Sequence, residues 1–238
     1  MNKTSPNACL LCGEELEYLA REEPMRCVYC GRVFMSAARC KNGHYVCDEC
    51  HSKDGIAVIT DYCGRTESRD PFAIMQVLMR HPSIHMHGPE HHVLVGSALL
   101  AAYFNSGGQG NRKELLELMA LRGSRVPGGV CGSWGSCGAG ISTGIFISLV
   151  TGATPTTTEN WGMSNRMTSR SLAAIGQVGG PRCCKRDSFL AVREACRFCA
   201  DELGVVMEAP ESLTCTFVGR NRECVGLRCP FFPKKSDN

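Results

Sequence analysis

Eight residues between positions 9 and 50 carry the spacing of metal ligands: Cys9-x2-Cys12, Cys27-x2-Cys30 and Cys40-x3-His44-x2-Cys47-x2-Cys50. Tetrahedral zinc takes four sulfur or imidazole donors, and a Cys-x2-Cys turn supplies two of them from one tight bend. Two zinc ions account for all eight residues. Sequential and crossed pairings fit the spacing equally well, so the partition stays open, and Cys63 is left over. Nine further cysteines begin at Cys131, giving 17 in a chain of 238 residues. The N-terminus, MNKTSPNAC, has no basic segment followed by an apolar one, so no secretory leader is expected. An odd cysteine total also fits a closed disulfide framework badly. Thiols at this density in a reducing compartment point to metal ligation, and the expectation is a cytoplasmic metalloprotein.

A second group of chemically able residues is Ile84-His85-Met86-His87-Gly88-Pro89-Glu90-His91-His92. His-x-His on extended chain puts both rings on one side, and His91 or His92 one turn into a following helix can complete a metal site. Alternatively, His85, His87 and Glu90 move protons to and from a substrate. The plainer alternative is that His85 and His87 cap the helix while the others face solvent.

The run from Cys27 to Cys50, with Gly43-His44-Tyr45-Val46-Cys47, resembles the first six ligands of a RING finger. It departs from that pattern afterwards: Cys63 stands where a seventh ligand would, and Gly64-Arg65-Thr66 offers no eighth. A treble-clef or ribbon-like module with a structural or docking role is therefore expected, rather than a ubiquitin ligase.

The glycine-rich stretch Val130-Cys131-Gly132-Ser133-Trp134-Gly135-Ser136-Cys137-Gly138 runs into a small-residue apolar segment that ends at Gly152-Ala153-Thr154-Pro155. A second stretch, Val178-Gly179-Gly180-Pro181-Arg182-Cys183-Cys184-Lys185-Arg186, precedes an alanine-containing helix. Both resemble the iron–sulfur L-serine dehydratase α-subunit and the L-cysteine desulfidases, over about residues 85–195. The resemblance implies a cluster ligated by Cys183 and, near the family's first ligand, Cys131, with Cys137, Cys184 or a cysteine of the C-terminal set supplying a further thiolate. The family's ligand just before Val-Gly-Gly is missing, since Ile175-Gly176-Gln177 stands there. It also implies a cubane with one open iron acting as a Lewis acid, and a base drawn from His85, His87, Glu90 or Lys185. The whole chain is similar to uncharacterised domain-of-unknown-function proteins of anaerobic prokaryotes. The alternative for Cys131 and Cys137 is simple packing in a tight turn.

The C-terminal string Cys196-x2-Cys199-x15-Cys215-x8-Cys224-x4-Cys229-Pro230 has the look of zinc or cluster ligands. Cys196 and Cys199, three apart, share one helix face and would also suit a core pair.

These residues need elements to position them. Asp70-Pro71 reads as an N-cap and first turn, with a short helix through Phe72 to Met79 stopped at His81-Pro82. Pro89 opens a second helix through Tyr103, ending at Asn105-Ser106-Gly107-Gly108. Asn111 to Arg122 is amphipathic, Ala139 to Val150 is a buried helix of small residues, another begins at Thr168, and Asp187 to Leu203 is a longer one. Strand signals are sparse after residue 70. The expected fold is mostly α: a helical domain with Gly/Cys-rich loops over residues 70–238, preceded by a small two-zinc module over 1–69.

Residues 1–69 hold 9 Lys/Arg and 10 Asp/Glu, which makes phosphate-backbone binding an unlikely purpose for the module. The formal net charge of +3 falls to about zero once seven thiolates hold two zinc ions. No stretch approaches the ~18 apolar residues of a membrane span. The expected function is an iron–sulfur lyase or sulfur-handling enzyme acting on a small carboxylate or thiolated substrate. A zinc adaptor that binds a protein partner, and a metal-delivery or redox-sensing protein, are the alternatives.

Overall fold

The computed structural model describes residues 9–234. Strands β1 (Leu16–Arg26) and β2 (Val33–Cys40) form an antiparallel hairpin, with extra residues of β1 bulging between Tyr18 and Glu23. Each arm ends at metal-ligand residues. The first two Cys-x2-Cys pairs are built alike: Gly13 donates to the carbonyl of Cys9 and Gly31 to that of Cys27, at 2.8 and 2.9 Å. Both glycines have positive φ (73° and 71°), a conformation that disfavours a β-carbon, so Cys-x2-Cys-Gly is one local motif used twice.

Among the described residues eight α-helices follow: α1 (Asp48–Arg65), α2 (Pro71–Arg80), α3 (Glu90–Asn105), α4 (Arg112–Gly123), the single-turn α5 (Val130–Ser133), α6 (Gly138–Thr151), α7 (Glu159–Val178) and α8 (Cys184–Phe198). A π-turn, Cys199–Leu203, extends α8, and the chain then runs over the domain with two short 3₁₀ turns. Asp70 caps α2 by accepting from the N–H groups of Phe72 and Ala73.

Helix α3 is buried along most of its length and packs against α1, α2, α4, α6 and α8. It is the central element because it carries few polar side chains beyond its first turn. Helix α6 packs on α3 through Ser142, whose hydroxyl accepts from the N–H of Gly96 and donates to the carbonyl of His92. Its other face carries Gly140 and Gly144, where a β-carbon would meet Leu172 and Thr168 of α7. The small residues thus bring two helices close together, as the sequence implies for this segment.

Helix α7 starts nine residues before the expected Thr168. Its first two turns carry only Trp161 and Met163 as large apolar residues, and only Met167 and Ser171 of the helix are buried, so no continuous apolar stripe marks the start. Thr168 lies within the helix, its hydroxyl donating to the carbonyl of Ser164. Helix α1 links the two parts of the chain. It begins on the last ligand pair and ends with Ile59 and Cys63 in the helical core. Beyond it, the segment around Gly64–Asp70 is pinned by Arg112, which donates to the carbonyls of Cys63 and Thr66, and by Asn105, which donates to those of Thr66 and Ser68.

Candidate metal centres

The eight N-terminal ligands segregate into two sets: Cys9, Cys12, Cys40 and His44, and Cys27, Cys30, Cys47 and Cys50. The pairing is crossed, the first pair joining the third and the second joining the fourth. Within each set the donor atoms lie within 4.8 Å of one another. A tetrahedron with sulfur about 2.3 Å from its centre has edges of about 3.8 Å. Cys12 and Cys40 stand 3.9 Å apart, and Cys30 and Cys47 3.8 Å. His44 presents Nδ1, at 3.3 Å from Cys12 Sγ and 3.8 Å from Cys9 Sγ. Each set is therefore a four-donor site of the size one tetrahedral metal ion requires.

The surrounding backbone favours thiolates at some positions. The N–H of Glu14 is the main cause that brings the Cys12 thiol down to about 7. Burial opposes ionisation of Cys27, yet the N–H groups of Cys47, Cys30 and Tyr29 outweigh it and bring that thiol to about 6. Cys50 is pushed the other way, to about 12, by burial and by the neighbouring thiols. Four sulfurs this close cannot all ionise unless a cation balances them.

A third group lies where α1 meets α3. His51 Nδ1 is 3.6 Å from Glu90 Oε2, and His85 Nδ1 is 3.4 Å from Glu90 Oε1. The two imidazole rings are 4.4 Å apart between centroids. Glu90 is fully buried; burial disfavours its charge, but the two imidazoles prevail and hold the carboxyl well below its usual range. Next to it lies Lys185, also fully buried, which donates to the carbonyl of His85 at 2.7 Å and meets His91 Nε2 at 3.1 Å. Burial lowers the Lys185 ammonium to about 8.

Of the residues expected to move protons, His85, Glu90 and Lys185 come together. His87 turns away: its Nε2 is 3.3 Å from Asn221 Oδ1 and 3.7 Å from Glu223 Oε2, tying the loop before α3 to the C-terminal segment. Burial, and then the Arg182 cation, lower its imidazole to about 4. Neither His91 nor His92 supplies the third donor. The Nδ1 of His91 lies 3.1 Å from the carbonyl of Gly88, and that of His92 lies 2.9 Å from the carbonyl of Val126. The third donor is His51, which sequence reasoning missed. The available signal was its place directly after the ligand Cys50, on the first turn of a helix.

The remaining thiols divide differently from their sequence grouping. Cys183, Cys215, Cys224 and Cys229 line one cavity between the start of α8 and the C-terminal segment, together with Phe189 and Phe217. The N–H groups of Arg186 and Phe217 point at the sulfurs of Cys183 and Cys215, at 3.5 and 3.4 Å. Cys131, Cys137 and Cys184 do not line it. Cys131 is exposed on α5. Cys137, ahead of α6, instead meets Asp187 Oδ2 at 3.9 Å, the same oxygen that accepts from the N–H of Cys183. Cys184 follows Cys183 into α8, and adjacent residues at a helix start point apart. Cys196 and Cys199 are buried in the hydrophobic core, not at the cavity; burial pushes Cys196 up to about 12 and Cys199 higher still, so both pack there as neutral thiols. All seventeen cysteines are free thiols. No helix among the described residues is long and apolar enough to cross a membrane.

Residues 59–232 match the profile of a family of unknown function (DUF5714), and the chain belongs to that family. The match begins in the second half of α1 and covers the helical domain and the thiol-lined cavity. No curated protein and no solved structure matches the chain significantly.

Proposed function

We propose that this protein is an iron–sulfur-dependent enzyme of lyase or sulfur-handling type, with two structural zinc ions in its N-terminal module. One observation carries the reading: four thiols, Cys183, Cys215, Cys224 and Cys229, line a single cavity beside the Lys185–His91–Glu90–His85 network. Among the described residues, the sets of three or more donors within 4.8 Å do not include these thiols. No three of them come within 4.8 Å of one another, so the cavity does not hold the compact donor set of a single tetrahedral zinc, and a polynuclear cluster, whose thiolates sit on different metal atoms, suits a wider set. The N–H groups directed at Cys183 and Cys215 suit thiolate or sulfide acceptors.

A cluster held there would supply a Lewis-acidic iron, open when three of the four thiolates ligate it, for a hydroxyl or thiol leaving group. The protein's own contribution is positional. Lys185 bridges the two centres, its ammonium 5.3 Å from the centroid of the cavity-lining Phe217 and held by the carbonyl of His85. Lys185 is fully buried and does not itself line the cavity, so its part would be to relay a proton toward a substrate bound there rather than to meet it directly. Arg186, buried against Asp187 at 2.9 Å, lines the same cavity and offers positive charge to a small carboxylate.

Anaerobic purification tests the proposal. The expected protein is brown, absorbs broadly near ~400 nm, and contains iron and acid-labile sulfide. Cys215→Ser and Cys229→Ser lose iron, while Cys196→Ser keeps it. A colourless wild-type protein holding zinc alone overturns the proposal in favour of a zinc adaptor.

A further inference from the structure

We infer that His51, His85 and Glu90 form a third metal-ion site, chemically distinct from the two thiolate sets and independent of the thiol-lined cavity. The donors arrive from three places: the first turn of α1, the loop ahead of α3, and the start of α3 itself. Their ligand atoms lie within 4.8 Å of one another. His51 Nδ1, His85 Nδ1 and Glu90 Oε2 are also three of the few buried side-chain polar atoms left without a hydrogen-bond partner. Native interiors rarely leave one such atom unpaired, and here three share one spot. A single cation would pair all of them at once.

The spacing agrees. His51 Nδ1 stands 3.6 Å from Glu90 Oε2 and His85 Nδ1 3.4 Å from the other carboxylate oxygen, Oε1, distances too long for good hydrogen bonds. They are close to the edges of about 3.0–3.4 Å expected between donors sitting about 2.1 Å from one ion. The rest of the carboxylate is already held: Glu90 Oε1 accepts from the N–H of His85 at 2.9 Å, leaving Oε2 free to ligate. The His85 backbone is fixed on its other side by Lys185. Such outer contacts orient ligands at metal sites.

Two glycines let the donors meet. At Gly55, one turn beyond His51, a β-carbon would stand 2.8 Å from the carbonyl of Ser83 and 3.3 Å from Glu90 Cβ. At Gly88 it would overlap the Glu90 carboxylate. Two imidazoles and one carboxylate are a donor set for a divalent first-row cation, and they leave coordination positions open. The donor atoms themselves are buried, while the outer parts of the His51 and His85 rings reach solvent, the side chains being 21% and 26% exposed. The site is thus built for an exchangeable ion that also binds water or a small anion, unlike the closed four-donor sets.

The test is a cobalt(II) titration of the full chain already carrying two zinc equivalents. One further equivalent is expected to bind, giving weak visible d–d absorption without sulfur-to-metal charge transfer. Glu90→Gln and His51→Ala should each weaken that binding about 100-fold or more while retaining both zincs, and His87→Ala should leave it intact. Should Glu90→Gln fail to fold, as judged by zinc content and circular dichroism, His51→Ala at its partly exposed position decides the matter. Absence of a third equivalent, uptake only by displacing zinc, or equal binding in wild type and His51→Ala overturns the assignment.

Discussion

Of the five apolar or sulfur-bearing side chains buried within residues 9–47, four are ligand cysteines, Cys9, Cys27, Cys40 and Cys47, and the fifth is Met25. The helical domain instead buries Phe72, Ile74, Met75, Leu78, Phe146 and Phe189 around α3, and the thiols it adds to that core, Cys63, Cys183, Cys196 and Cys199, belong to none of the compact donor sets among the described residues. Tyr18, Val33 and Met35 of the hairpin remain exposed. One part of the chain therefore has a core made of hydrocarbon, and the other has a core made of its metal ligands. The same residue type stands in a four-donor set able to hold an ion at one end of α1, in Cys47 and Cys50, and fills space at the other, in Cys63. What separates the two roles is company: three further donors within reach, or none.

Metal removal should break this comparison most visibly. A hairpin with one buried methionine cannot offset its own conformational entropy, so binding energy on the order of 10 kcal/mol per structural ion is its main support. Chelation is expected to render residues 9–47 protease-sensitive while most of the helical circular dichroism survives. The crossed pairing gives a finer reading. Cys9→Ser combined with Cys40→Ser removes one set and should release one ion, whereas a sequential pairing would release both. Metal counting by mass spectrometry under native conditions distinguishes these outcomes.

The helical core should respond to the opposite perturbation. Phe146 is fully buried and meets Tyr103 edge-on at 5.8 Å between centroids. Phe146→Ala should cost about 3–5 kcal/mol, read by denaturant unfolding, with the metal content of the N-terminal sets unchanged. Gly144→Val should cost less, about 1–3 kcal/mol, because the new side chain meets the Thr168 hydroxyl and, at 3.1 Å, the carbonyl of Ser164 on α7. A lowered metal content in either variant would mean that the two cores are coupled through α1 more tightly than their separate composition implies.

The contrast also explains which features the sequence made legible. Cys-x2-Cys-Gly is a local motif, so the N-terminal donors could be named from spacing alone, although their partition could not, because strand pairing decides which knuckles meet. Apolar periodicity located α2, α3, α4, α6 and α8 for the same local reason. It missed the first half of α7, which rests on Met163 and Met167 and on the close approach of Gly144 on α6 to Ser164 and Thr168 rather than on a continuous apolar stripe. The long-range groupings were the hardest. Cys183 joins Cys215, Cys224 and Cys229 because the C-terminal segment returns across α8, with Phe231 packed edge-on against Phe189 at 5.5 Å. The glycine-rich motif suggested Cys131 as its companion instead, yet that motif opens only the exposed turn α5. His51 stayed hidden because its one signal, a place directly after a ligand cysteine, does not name Glu90 as its partner until α1 is laid against α3.

The mildest probe of the comparison is thiol reactivity, which needs no substitution. Alkylation requires an accessible thiolate, and the metal-loaded protein offers three environments. Cys131 is exposed and is not among the four-donor sets or the cavity lining, so it should be labelled first by a small alkylating reagent. Ligand thiols such as Cys12 and Cys30 are exposed as well, but their electrons are committed to the ion, and they should react only after chelation. Cys63 and Cys199 are fully buried; burial pushes the Cys63 thiol up to about 12, and chelation should leave both unreactive until the helical domain itself unfolds. Mass mapping of labelled peptides before chelation, after chelation and in denaturant should therefore give three successive sets. Labelling of Cys63 together with Cys12 on chelation would show that the hydrocarbon core depends on the metal sites. The division between the two regions would then fail at α1, the element they share.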